Sequence, residues 1–165
     1  MSFCKSFIFG MLALFTLSAC QTLSTAEIYD KTQSQIDRIQ ITEAKTRYDQ
    51  IFNRTLSDNL NQNVRLRDLR LNTTLSVSNS STLSVKGQSS NLSKTQMSLQ
   101  YELVDKVTGA VMMSGTISRL ATSGTVSAYY AQDKSRQFAA ERLTIQLADR
   151  LALRLRRHFL DTEGQ

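Results

Sequence analysis

Every second residue from Leu69 to Val77 belongs to one set: Leu69, Leu71, Thr73, Leu75 and Val77 alternate with Arg70, Asn72, Thr74, Ser76 and Ser78. A period of two puts the first set on one face of a β-strand and the second on the other, so this stretch must lie half-buried in a sheet. Asn79-Ser80-Ser81 interrupts the pattern, and Leu83 and Val85 resume it in phase, which leaves open a long bulged strand or a small hairpin. A Ser-rich loop from Lys86 to Ser93 leads to a second alternation through Met97, Leu99, Tyr101 and Leu103. Asp105-Lys106-Val107-Thr108-Gly109 then reads as a hairpin turn, where Asp accepts from nearby backbone amides and Gly supplies a positive φ. The return strand passes through Val111, Met113, Gly115 and Ile117, with Leu120 near its end.

On either side of these strands the period becomes helical. Ala44, Tyr48, Ile51, Phe52, Leu56 and Leu60 recur on one face, with Lys45, Arg47, Asp49, Arg54 and Asp58 opposite. Thr42 as N-cap and Glu43 behind it would start an amphipathic helix of about eighteen residues. Its end is expected among Asn59, Asn61 and Asn63, which tolerate left-handed backbone. From about Ala131 to Leu160 a second helix is expected: Phe138, Leu143, Leu147, Leu151 and Leu155 form its stripe, with Ala140, Ala148 and Phe159. Arg136, Arg142, Arg150, Arg154, Arg156 and Arg157 ring the remainder. Ahead of the first helix, Ile36, Ile39 and Ile41 within Gln35–Thr42 favour a short strand. The order is β-α-β-β-β-α. It implies an α+β two-layer sandwich, a four-stranded mixed or antiparallel sheet with two helices packed on one face. The other face would present Ser, Thr, Gln and Asn.

At the N-terminus, Lys5 precedes an apolar run from Phe7 to Leu17. A spanning helix needs about twenty apolar residues, roughly twice this length, so an export signal is the better reading. Leu17-Ser18-Ala19-Cys20 follows and resembles the lipobox of bacterial lipoproteins. Small Ser18 and Ala19 let the chain lie extended in a peptidase cleft, and the Cys20 thiol can take a diacylglyceryl group. The competing reading is a conventional signal with a cysteine nearby by chance. The lipobox reading removes 1–19, lipidates Cys20, and leaves 20–34 as a polar tether to one domain over 35–160, with 161–165 a tail. Acyl chains would anchor the protein at about 0.8 kcal/mol per buried methylene. Cys4 falls in the removed segment, so no disulfide is possible with two cysteines in the chain. Gln21 is not the Asp of known inner-membrane retention signals, which makes the outer membrane the default destination.

The formal charge of +6 requires an anionic environment or partner. Export makes nucleic acid a poor candidate, and anionic lipid or phosphate-bearing surfaces a better one. No metal site, cofactor or catalysis is expected. His158 is the only histidine and has no ligand-spaced neighbours; the six glycines are scattered, with no phosphate loop and no G-x-S-x-G.

The segment from Gln96 to Leu160 carries a family resemblance. MSLQYELVDKVTGAVMMSG (Met97 to Gly115) resembles the strand, D-x-x-T-G hairpin and return strand of the LptE family of lipopolysaccharide-assembly lipoproteins. SAYYAQDKSRQFAAERLTIQLADRLALRL (Ser127 to Leu155) is similar to its terminal helix, and FNRTLSDNLN (Phe52 to Asn61) to its N-x-L-x-D-x-L element. CQTLSTAEIY departs from the family, many of whose members carry Gly, an aromatic and Leu-Tyr after the lipidated Cys. The resemblance implies a non-enzymatic outer-membrane protein that plugs the LptD β-barrel and assists lipopolysaccharide assembly into the outer leaflet. It also implies lipopolysaccharide-binding positions at Lys86 and near Gln132, where Lys134 would substitute. The alternative is a periplasm-facing lipoprotein subunit of another envelope or lipid-transport complex.

Overall fold

The alternating stretches are strands, each longer than the pattern alone implies. The computed structural model describes residues 32–63, 67–82, 92–124 and 129–163. β1 (Ile39–Ile41) is followed by α1 (Arg47–Leu60), then β2 (Leu69–Thr82), β3 (Leu92–Asp105), β4 (Val111–Gly124) and α2 (Tyr129–Glu163). The sheet order is β1-β2-β3-β4, with β1 parallel to β2 and the remaining pairs antiparallel. The fold is therefore α+β with a mixed four-stranded sheet, in the expected element order.

β2 runs straight through Asn79-Ser80-Ser81. It pairs with β3 from Leu69 opposite Asp105 to Thr82 opposite Leu92 without a shift of register, so neither the bulge nor the small hairpin occurs there. The Thr95 hydroxyl donates to Asn79 Oδ1 at 2.9 Å across the pair, which compensates for the poor strand propensity of Asn. The irregularity lies instead between Leu103 and Val104, against β4. The hairpin after β3 forms as its residues imply. Asp105 Oδ1 accepts from the amides of Val107 (2.7 Å) and Thr108 (3.1 Å), and Gly109 takes φ 72°. Leu83, Val85 and the loop from Lys86 to Asn91 lie outside the described residues.

Three expectations at the first strand and helix need correction. The strand expected over Gln35–Thr42 is reduced to Ile39–Ile41, because 32–36 is helical and makes a third helical piece. Ile36 is fully buried from that turn of helix, and it stands three residues before Ile39, out of phase with the Ile39–Ile41 alternation of the strand. Gln62 Nε2 donates to Ile36 O (3.2 Å), and Gln33 Nε2 to Leu60 O (3.2 Å), which ties the turn to the end of α1. Thr42 is not the N-cap: its amide and hydroxyl both bond Leu71 O (3.1 and 2.9 Å), extending the β1–β2 ladder. The cap is Thr46, in a reciprocal box with Asp49, so α1 has 14 residues and not about eighteen. Its C-terminus is Asn61 at φ 49°, as the asparagines implied.

α2 runs past Leu160 to Glu163. It lies against β3 and β4, and its Leu143, Leu147, Leu151, Leu155 and Phe159 meet Met97, Leu99, Leu103 and Ile117 in one core with Phe52, Leu56 and Leu60 of α1. Phe138 is a correction: expected in this stripe, it is 66% exposed. Arg156 also leaves the expected outer ring, since its Nη2 donates to Asn59 O (3.1 Å) and Leu60 O (3.4 Å), the orphan carbonyls of α1. β2, β3 and β4 are each ~46 Å long, α2 ~52 Å and α1 only ~21 Å. Hence α1 covers only the half of the sheet near the Asp105–Gly109 turn, and Val77 beyond it is 42% exposed. The far face of the sheet carries Asn72, Thr74, Ser76, Gln100, Ser114 and Thr116, the polar set expected.

β1 is held beside β2 by Arg38 and Asp68. Arg38 Nε lies 2.9 Å from Asp68 Oδ2, and Leu69 N donates to Arg38 O at 3.2 Å. The hydrogen bond from Arg38 holds the Asp68 carboxyl below the usual carboxylate range, and the same bond raises the Arg38 guanidinium. Both side chains are about a third exposed, so the pair is worth about 1 kcal/mol at most. A carboxyl with a lowered folded pKa stabilises above its unfolded value, and that contribution disappears as pH falls through the folded value. Asp68→Asn should therefore be less stable than the parent above about pH 5, with the gap closing below about pH 4. Urea midpoints across that range check it, and a gap independent of pH would remove the ion pair as its cause.

Candidate functional site

α2 carries three acid–base dipeptides: Asp133-Lys134, Glu141-Arg142 and Asp149-Arg150. Neighbouring residues on a helix point ~100° apart, so each dipeptide straddles it. The acids turn towards α1 and β2. Arg47 Nε meets Glu141 Oε1 at 3.0 Å, Asn59 Nδ2 donates to Asp149 Oδ1 at 2.7 Å, and Asp133 lines a hollow with Tyr48 and Val77. The bases turn into the crevice between α2 and β4, where two open hollows lie along the same strand and helix.

The hollow nearer the start of α2, about 630 Å³, is walled by Thr122 and Ser123 of β4 and by Lys134, Phe138 and Arg142. Lys134 Nζ donates to Gln137 Oε1 at 3.2 Å and sits 5.7 Å from the Tyr130 ring centroid. Exposed Phe138 gives this hollow an apolar wall. The second hollow, about 470 Å³, is walled by Arg119 of β4 and by Arg150, Leu153, Arg154 and Arg157 of α2. Arg154 Nη1 donates to the Tyr101 hydroxyl at 3.0 Å, and its guanidinium carbon lies 6.0 Å from that ring's centroid. Chemically, the crevice offers permanently charged, forked donors beside apolar side chains, a combination suited to binding an anionic amphiphile.

Of the site residues expected from sequence, Lys134 lies in this crevice, whereas Cys20 and Lys86 lie outside the described residues. Lys134 thus meets no other expected site residue there. What sequence reading missed is Arg119. The expected β4 alternation passes from Ile117 to Leu120, a change of phase, and Leu120 faces the open side. Carried on in phase it reaches Arg119 and then buried Ala121, so a charged residue stands at a core-facing position. His158 packs edge-on against Phe159 at 5.5 Å.

No protein-family model and no curated protein matches the chain. Solved structures do. A candidate lipoprotein of Caulobacter crescentus CB15 superposes with a TM-score of 0.63 at 18% identity, covering 80% of this chain and 98% of that one. Rare lipoprotein B of Shewanella oneidensis gives 0.60 at 14% identity over 76% of this chain and 96% of its own. A minor lipoprotein of Acinetobacter baumannii gives 0.53 at 8% identity over 72% and 87%. This chain folds as these solved lipoproteins do.

Proposed function

We propose that the chain is an outer-membrane lipoprotein, acylated at Cys20, that occupies the lumen of the LptD β-barrel and assists lipopolysaccharide assembly. The reading is carried by one coincidence: a lipobox at Cys20 heads a chain whose fold is that of solved lipoproteins. Two further features support it. The open sheet face is mostly Ser, Thr, Asn and Gln, with Arg70, Lys94 and Glu102 as its charges, a polar surface compatible with a water-filled barrel. The α2–β4 crevice sets cations beside exposed Phe138 and Leu153, which suits phosphates attached to acyl chains. The role is binding and assembly, with no bond made or broken by the chain.

The test is affinity purification of the acylated protein from detergent-solubilised outer membranes, together with depletion of the protein in cells. A large β-barrel of the LptD type should co-purify, and depletion should reduce surface lipopolysaccharide. Migration alone, with the barrel present in the extract, would sink the plug role. Recovery with an inner-membrane lipid transporter would favour the second reading, a subunit of another lipid-transport complex, to which the same crevice is suited. Cys20→Ala should abolish incorporation of labelled palmitate into the protein, and label retained in that variant would remove Cys20 as the acylated residue.

A further inference from the structure

We infer that the hollow formed by Arg119, Arg150, Arg154 and Arg157 is a subsite for the phosphate of a phosphorylated amphiphile, separate from the hollow that holds Lys134. The inference rests on the lipopolysaccharide-binding part of the proposed function and not on the barrel partner, so its test below needs no barrel and can fail without deciding the plug role.

Four guanidinium-bearing residues share one hollow of about 470 Å³, and among the described residues none of its walls is acidic. Three of them, Arg150, Arg154 and Arg157, lie at i, i+4 and i+7 of α2, so that the neighbours Arg150/Arg154 and Arg154/Arg157 repel each other along the helix. Arg119 adds a fourth charge from a half-buried, core-facing position of β4. A helix that needed cations only for solubility would spread them around its open side. Here they converge on a strand residue that comes from the opposite wall.

The donors are also held and available. Arg154 is fixed by the Tyr101 hydroxyl at 3.0 Å, and Tyr101 is itself buried in the core. Arg157 has a carboxylate neighbour, Asp161 at 3.7 Å, but both side chains are largely exposed and such a pair is weak. No hydrogen bond or ion pair engages Arg119 or Arg150 among the described residues. A phosphomonoester carries nearly two charges and three acceptor oxygens, and forked guanidinium donors match it in two-point contacts. Leu153, 63% exposed on the same wall, chooses the amphiphile over free phosphate, because an acyl or sugar-linked apolar segment beside the headgroup would cover it.

The test uses the full acylated chain in nonionic detergent, titrated with bisphosphorylated lipid A, with dephosphorylated lipid A and with inorganic phosphate. Arg119→Gln/Arg150→Gln should weaken binding of the phosphorylated lipid by about tenfold or more, from two lost charge-assisted contacts, and leave the dephosphorylated lipid unaffected. Lys at both positions should restore part of the affinity, since charge returns without the fork. Arg150→Gln alone, at an exposed helical position, serves should the double variant fail to fold, and a loss of about threefold or more supports the subsite. An unchanged affinity for phosphorylated lipid overturns it, as does an equal loss for both lipids. Inorganic phosphate binding as tightly as lipid A would make the site one for a soluble anion and overturn the amphiphile assignment. A poly-glutamate peptide whose binding alone responds to the variants would overturn it in favour of an acidic protein partner.

Discussion

Phe52→Ala is expected to lower the free energy of unfolding by about 3–5 kcal/mol, the usual cost of emptying an aromatic site in a packed core. Phe52 is fully buried on α1, in the same core as Leu99, Leu143 and Leu147. Domains have only about 5–15 kcal/mol in total, so the melting temperature should fall by roughly 10–20 °C. Calorimetry or denaturant unfolding checks the figure. Phe52→Leu, which keeps most of the volume, should cost under about 1.5 kcal/mol. Equal losses for the two variants would mean that the aromatic ring, and not the filled volume, is what the core requires.

The second large effect concerns Gly115. It faces Tyr101 across the β3–β4 pair, and a Cβ placed on it would lie 2.7 Å from the Tyr101 hydroxyl and 3.0 Å from Cζ of the ring. The ring cannot retreat freely, because it is 5% exposed and its hydroxyl accepts from Arg154. Gly115→Ala should therefore cost about 1–3 kcal/mol, and Gly115→Val more, as overpacking does elsewhere. The cause can be isolated with a cycle. In a Tyr101→Leu background the same Gly115→Ala change should become milder by about 1 kcal/mol or more. Strictly additive losses would mean that the ring is not what excludes a side chain. The glycine here serves close approach, not backbone freedom, and it lets Tyr101 lie where it can position Arg154.

The elements that sequence reading found correctly are those in which local pattern and tertiary demand agree. The Asp105–Gly109 turn needs one Asx-type acceptor and one positive φ, and both residues announce themselves. The alternation from Leu69 to Val77 and the stripe from Leu143 to Leu155 are long enough to fix their own faces. Errors arise where two local signals compete and a distant contact decides. Thr42 and Thr46 are both possible caps, and Thr42 is removed from the contest by Leu71, far along the chain. Thr46 did carry the better local signal, an acid three residues on. Ile36 reads as strand by its β-branched side chain, yet only Ile39 and Ile41 keep the alternation, and Ile36 belongs to the helical turn over 32–36. The crevice was the least legible feature. Its walls come from β4 and α2, whose arginines read separately as strand and helix surface, and only the folded chain brings Arg119 to Arg150. Phe138 shows the limit of counting apolar residues without their phase: it stands five residues before Leu143, about 140° around the helix, and so shares the crevice wall with Lys134 and Arg142 and not the leucine stripe.

The difference in length between the two helices gives the molecule a stiff end and a compliant one. Near the Asp105–Gly109 turn the sheet is backed by both helices, which are stapled to each other by Arg156 and Asp149. Towards the opposite end α1 has stopped, and the residues beneath α2 include Ser93 and Thr95 where the stiff end has leucines. Opening there uncovers little apolar surface and so costs less than opening the other half. Whatever the chain meets at that end encounters a part that can adjust its shape while the leucine-rich half stays closed.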